Sequence, residues 1–258
     1  MPAPFLRQIR NRIFGLSVII GLAGILALMV SDSAEGSEPA PNLPVPCMEK
    51  HWLGQHNYLT ALVRRAGNQG PVDVYFLGDS ITEFWPTVGK DVWQAEFGKM
   101  RVLNCGVSGD KTQNILFRIT HGEFDRIQPK VVVLLAGINN LSNSPDLQPE
   151  DLARGIQRIV SVVHGKSPAS KVLLLSIFPA DEPANPIRKR ILATNELIAK
   201  LADDKSVYYL DIHDRFLNER REVPSELSPD GTHPSAIGYQ VWAEAMRPLL
   251  RQLLELNE

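Results

Sequence analysis

What this sequence lacks first is an excess of charge of either sign. Its 27 lysines and arginines stand against 29 aspartates and glutamates, a formal net charge of −2. The basic residues are scattered among acids instead of gathered in a stripe, so the electrostatic footprint of a nucleic-acid binder is missing and that class is excluded. Internal repeats are absent too, which excludes a repeat array. Cysteine is scarce. One bridge, Cys47 to Cys105, is the most the two cysteines could form in an oxidising compartment, and Cys105, beside Gly106, could equally be a packed free thiol.

Charge is missing altogether from Ile13 to Val30, where Ser17 is the only clearly polar side chain, and Arg7, Arg10 and Arg12 stand just before it. Such a segment reads as a targeting element. It is longer than the roughly 7–15 residues of an ordinary signal core and close to the ~18 residues needed to span a bilayer, so a cleaved signal and a retained anchor both fit. Positive charge on its N-terminal side predicts that the chain beyond Val30 lies across the membrane, as a secreted, periplasmic or membrane-anchored domain. The reading divides the chain into residues 1–35, signal peptide or anchor; 36–46, a Ser/Glu/Pro/Ala-rich linker; and 47–258, one domain. Membrane contact would run through the N-terminal segment if it is uncleaved. A homo-oligomer is left open.

What is present is the composition of a compact globular protein, 44% hydrophobic and 22% charged. Residues 47–66 can form a helix with Trp52, Leu53, Tyr58, Leu59, Leu62 and Val63 on one stripe. Strands are expected at 72–77, around Val102-Leu103, and at 131–136, 172–177 and 207–210. Helices are expected at 113–119, 149–164, 186–203 and 235–256. The run Val131-Val132-Val133-Leu134-Leu135 does not alternate, as expected of a strand covered on both faces. This order implies an α/β fold, a three-layer α/β/α sandwich on a mainly parallel five-stranded sheet.

Chemistry gathers at the strand ends. The first strand stops at Gly78-Asp79-Ser80-Ile81-Thr82, the second at Asn104-Cys105-Gly106-Val107-Ser108-Gly109-Asp110, the third at Gly137-Ile138-Asn139-Asn140. In a parallel sheet these loops converge on one edge. Ser80 is the candidate nucleophile. Acyl transfer also needs donors for the oxygen that becomes negative, and Ser80 N–H, Gly106 N–H and the Asn139 amide are the natural trio. Downstream, Asp230-Gly231-Thr232-His233-Pro234 can supply an imidazole to accept the serine proton and a carboxylate to orient it.

These four blocks, in this order, resemble those of the GDSL-type, or SGNH, hydrolase superfamily over essentially all of 47–258. Within it, Asn104 to Thr112, Gly122-Glu123 and Gly137-Ile138-Asn139-Asn140 look most like the branch of the intracellular platelet-activating-factor acetylhydrolase catalytic subunits and related bacterial esterases. The third block of the superfamily often ends in Asp, where this chain and that branch have Asn140. The resemblance implies a flavodoxin-like SGNH fold and a serine esterase of short-chain, in particular acetyl, esters working through an acyl-enzyme without a cofactor. Its triad would be Ser80, Asp230 and His233, its oxyanion hole Ser80, Gly106 and Asn139, and Asp79 would be structural. Lipid or lysophospholipid esters, sugar O-acyl transfer and, outside catalysis, a carbohydrate-binding module are the alternatives. The absence of Gly-x-Ser-x-Gly argues against the α/β-hydrolase fold proper.

The remaining chemistry-bearing residues carry less. His51, His56, His121 and His164 read as surface or capping residues, and Arg188, Lys189 and Arg190 as the solvated face of a helix. Asp211-Ile212-His213-Asp214 has two carboxylates and one imidazole without a second cluster, so no metal site is assigned. Trp85 could line the acyl pocket or merely pack. Specificity is expected in the loops 83–99, 141–148 and 179–186. The targeting segment yields a direct test: a reporter fused after Glu38 that is active only when exported should be active in cells, and one that works only in the cytoplasm should be silent.

Overall fold

The computed structural model of the protein describes residues 39–180 and 184–256. The Arg-flanked segment read as a signal or anchor lies outside the described residues. Among those residues no helix is long and apolar enough to cross a membrane. Residues 39–46, in the stretch read as a linker, lie against the domain. There Thr112 Oγ1 donates to the Pro41 carbonyl at 2.9 Å, Val45 N–H to Gln113 O at 3.0 Å and Asn114 Nδ2 to Val45 O at 3.0 Å.

In chain order the elements are α1 (Lys50–Asn68), β1 (Val74–Gly78), α2 (Ser80–Glu83), α3 (Trp85–Val88), α4 (Lys90–Phe97), β2 (Val102–Gly106), α5 (Thr112–Thr120), β3 (Val131–Leu135), α6 (Ile138–Asn143), α7 (Pro149–Lys166), β4 (Lys171–Leu175), α8 (Pro186–Ala199), β5 (Val207–Leu210), a 3₁₀ turn (His213–Phe216) and α9 (Ala236–Leu253). The five strands form one parallel sheet in the order β2-β1-β3-β4-β5. Every residue of β1 and β3 is buried, because helices cover both faces. The step from β1 to β2 runs one way and every later step runs the other. With right-handed crossovers this sends α4 to one face and α5, α7 and α8, which pack side by side, to the other. The closing α9 returns beside α4. The expected α/β/α sandwich is therefore the fold.

Local signals explain the helix starts. Pro149 opens α7, Asn185 caps α8 by accepting Ile187 N–H at 3.0 Å ahead of Pro186, and Ser235 caps α9 through Gly238 N–H at 3.2 Å. Three expectations about loops and helix faces are corrected. The 83–99 stretch, expected as a loop, carries α3 and α4, and α6 begins right after β3 in place of an open loop. Arg188 and Arg190 do not face solvent. The Arg188 side chain is buried and donates to Ala180 O and Arg221 O in loops, and Arg190 donates to Leu141 O and Ser144 O at the C-terminal end of α6, where carbonyls run out of helical partners.

The two cysteines are free thiols. His56 is buried against Glu123 and is no surface residue.

Trp85 packs in the core. It is wholly buried among Trp242, at 4.3 Å between ring centroids, Tyr239 at 5.3 Å and Phe76 at 5.6 Å, joining α3 and α9 to β1. Its indole N–H has no acceptor among the described residues. Trp85→Ala should lower stability by about 3–5 kcal/mol in urea unfolding. Trp85→Phe should cost clearly less, since it also removes a buried donor that makes no bond.

Candidate active site

The register of the sheet sets the geometry. Gly78 at the end of β1 lies level with Gly106 of β2 on one side and Leu135 of β3 on the other. This is where the strand order reverses, so the loops after β1 and β3 diverge and leave a crevice. Ser80 starts α2 two residues beyond Gly78. Its N–H, the first of that helix, has no acceptor among the described residues.

Gly106 must be glycine: a Cβ there would sit 2.3 Å from Glu83 N and 2.7 Å from Asp79 O, so any side chain would push β2 off the nucleophile turn. Gly137 has φ of +126°, a conformation that swings the chain from β3 into α6 and delivers Asn139 to the crevice.

The sequence-predicted residues meet. Ser80 Oγ lies 2.8 Å from His233 Nε2, and His233 Nδ1 lies 2.7 Å from Asp230 Oδ2. The other oxygen of Asp230 accepts the N–H groups of Thr232 at 2.9 Å and His233 at 2.7 Å, so one carboxylate both folds the Asp-Gly-Thr-His turn and faces the ring. Partial burial pushes the Asp230 carboxyl up, but the bonds from His233 and Thr232 outweigh it and hold the pKa down at about 2. Asp230 is therefore an anion across the neutral range. Ser228 Oγ donates to His233 O at 3.0 Å, and the Phe84 ring packs 5.5 Å from the imidazole. Ser80 is 7% exposed, whereas the His233 and Asp230 side chains are 36% and 56% exposed, so the site opens directly to the surface.

The expected oxyanion donors are partly engaged. Gly106 N–H donates to Asn104 Oδ1 at 3.0 Å, while Asn104 Nδ2 donates to Thr82 O at 2.6 Å and so ties β2 to the nucleophile helix. Asn139 Nδ2 gives one N–H to Asp110 O at 3.0 Å. Asn140 turns away from the crevice. Its carbonyl oxygen accepts Thr112 N–H at 2.9 Å and its Nδ2 donates to Gln113 Oε1 at 2.9 Å, using both ends of the amide. His213 faces Asp214, 3.0 Å from Nδ1.

Residues 76–241 match the model of the GDSL-like lipase/acylhydrolase family. The chain belongs to this family. It is a carboxylic ester hydrolase. Among its relatives is the platelet-activating factor acetylhydrolase IB subunit alpha2 of Rattus norvegicus, 31% identical over 208 residues that make up 80% of this chain and 86% of the relative. The alpha1 subunit from the same organism is 31% identical over 231 residues, 88% of this chain and 95% of the relative. A GDSL-like lipase from Bacteroides thetaiotaomicron shares the fold with a TM-score of 0.61 at 20% identity, over 79% of this chain and 97% of that one.

Three residues of this GDSL hydrolase bear on the site although sequence reasoning did not single them out. Tyr239 donates to Ile81 O at 2.7 Å and pins α2 from α9. Asn104 bridges β2 and α2, as above. Arg118 lies behind the crevice, wholly buried, between Asp110 and Glu123. Its signal is a basic residue on the same helical face as Ile115 and Ile119, a core position, with two acids nearby in the chain.

Asp79 is structural, with Oδ1 accepting Ile81 N–H at 3.0 Å and capping α2; Oδ2 has no partner among the described residues. Burial lifts its carboxyl to about 7, with the Ile81 bond and His233 opposing and Asp110 reinforcing the rise. That folded value lies above the unfolded one of about 3.9, so the native state holds the proton more tightly and stability falls as pH climbs from about 4 to about 7. Asp79→Asn keeps the acceptor and loses the charge. Its Tm should exceed that of the parent at pH 8, by an amount on the order of 1–4 kcal/mol in stability, and the gain should shrink steadily toward pH 4. A difference independent of pH would show that burial does not raise the Asp79 carboxyl above its unfolded value.

Proposed function

We propose that this ester hydrolase cleaves short-chain esters, acetyl esters foremost, through an acyl-enzyme on Ser80. The observation that carries the reading is the unbroken hydrogen-bonded chain from Ser80 Oγ through both nitrogens of His233 to Asp230. In this mechanism Ser80 Oγ attacks the ester carbonyl carbon as His233 Nε2 takes the hydroxyl proton, and Asp230, already an anion, steadies the imidazolium. The tetrahedral oxyanion takes the Ser80 N–H, the second N–H of the Asn139 amide and Gly106 N–H. The last must be shared with Asn104 Oδ1, and a full negative charge is the stronger acceptor. His233 then passes its proton to the departing alcohol oxygen. Water enters, loses a proton to His233 and attacks the acyl carbon; Ser80 regains the proton and the carboxylic acid leaves.

The acyl preference is supported by the relatives named as acetylhydrolases, which align over most of the chain. Placement outside the cytoplasm is supported by the Arg-flanked apolar segment alone.

Two measurements test the reading. Ser80→Ala should abolish labelling by an organophosphonate and lower kcat by several orders of magnitude; retained labelling would remove Ser80 from the role. A series of aryl esters of rising acyl length, beside acetylated xylan and lysophospholipid, should show the highest kcat/KM with acetate. A maximum at chains of eight carbons or more would replace the acetyl reading with a lipid one.

A further inference from the structure

Behind the crevice lies a set of charges that the triad does not use. The Arg118 side chain is wholly buried, as are Asp110 and Glu123 beside it. Its Nε donates to Asp110 Oδ2 at 2.7 Å and its Nη1 to Glu123 Oε2. Its Nη2 reaches the backbone, donating to Cys105 O at 3.1 Å and to Gly78 O at 3.3 Å. The acids have further holders: Trp52 Nε1 donates to Asp110 Oδ1 at 2.6 Å, and His56 Nδ1 lies 2.8 Å from Glu123 Oε1. Flanked by two carboxylates, the guanidinium is a permanent cation.

Such a cluster is a poor device for stability. Taking three charges out of water costs several kcal/mol each before pairing repays it, and apolar replacements of buried ion pairs are often as stable or more so. Its contacts suggest another role. Cys105 O and Gly106 N–H belong to one planar trans peptide and point to opposite sides of it, so a donor clamped on the carbonyl fixes where the N–H aims. The same contact polarises the peptide and makes that N–H a better donor. Through its second carbonyl contact, Gly78 O, the guanidinium ties β1 to β2 two residues before the nucleophile. Through Asp110 it acts once more, because the backbone carbonyl of that residue holds the Asn139 amide.

We propose that Arg118 is the positioning residue of the oxyanion site, aiming Gly106 N–H through the Cys105 carbonyl and the Asn139 amide through Asp110. The proposal rests on the oxyanion reading of Gly106 and Asn139 given above, and the test separates the two. Arg118 touches no substrate and acts only through these groups, so its loss should be felt in the transition state and not in substrate binding.

The test is a set of variants of the whole enzyme, with kcat expressed per active site titrated by organophosphonate, beside KM and Tm. Arg118→Lys keeps a buried cation, but a single ammonium cannot span two acids and two strand carbonyls. It should lower kcat roughly 10- to 100-fold with KM within about threefold, between the effects of a misplaced group and of a deleted oxyanion donor. Trp52→Phe removes a donor to Asp110 and leaves the carbonyl clamp in place; it should lower Tm and keep kcat within about twofold, since only a structural bond is lost. Asn139→Ala should lower kcat by roughly 10²–10³-fold. In that background Arg118→Lys should cost less than it does alone, because the two share a target.

If Asn139→Ala keeps its kcat, the oxyanion reading fails and the proposal falls with it. If Asn139→Ala loses activity while Arg118→Lys retains it per titrated site, the proposal alone is overturned. It is equally overturned if Trp52→Phe, matched in Tm, loses as much kcat as Arg118→Lys. Should Arg118→Lys give no folded enzyme, Glu123→Gln, which weakens the Nη1 anchor and the His56 contact but leaves both carbonyl bonds of Nη2, should still lower kcat about threefold or more at constant KM, and an unchanged kcat there overturns it.

Discussion

The parallel register of β1 with its two neighbours is the constraint on which the rest depends. It sets Gly78, Gly106 and Leu135 at one height, so three loops leave the sheet together and must share a small volume. Only a residue without Cβ fits at Gly106, because the turn carrying Ser80 passes directly over it. A slip of one residue in β2 would put Cys105 in that place and turn its side chain out of the core. Ser80 is thus held by strand pairing more than by its own helix, which is four residues long and too short to be stable alone.

Two polar systems meet at this edge and differ in exposure. The Ser80–His233–Asp230 chain lies open, with His233 and Asp230 in contact with solvent, and its order comes from local bonds inside the Asp230 to His233 turn and from the Ser235 cap of α9. The Asp110, Arg118 and Glu123 cluster is sealed from water, and its order comes from paired charge. Its side chains are wholly buried, and that burial lifts the Asp110 carboxyl to about 6 even with Arg118 and Trp52 donating to it. In the proposed mechanism the first system exchanges protons with substrate and solvent, while the second, whose charged side chains are wholly buried, acts through backbone geometry.

Much of this was legible in the chain. The five strands, the parallel order and the four strand-end blocks follow from apolar runs broken by Gly, Asn, Asp and Ser, because each signal is local. Ser80, His233 and Asp230 do come together. The readings of Arg188 and Arg190 went astray for the physical reason that also left Trp85 open between a pocket wall and the core. Residue type and helical face do not name partners that come from elements far away in sequence, Trp242 and Tyr239 for the tryptophan, and loop and helix-end carbonyls for the arginines. The short helices α2, α3, α4 and α6 were also hidden, since a helix of one or two turns leaves too few residues to show a period.

The sequence by itself determined the fold class, the family and the identity of the groups that meet at the sheet edge, because composition, periodicity and motif order are properties of neighbours along the chain. Only the tertiary structure decided which donors at that edge stand free. Whether Gly106 N–H faces the crevice or Asn104, whether Asn139 has a proton to spare, and whether Arg118 is solvated or clamped onto the Cys105 carbonyl depend on distances between residues from 2 to 29 positions apart. Hydrogen bonds are decided by tenths of an ångström and by competition among acceptors, and that competition exists only once the chain has packed.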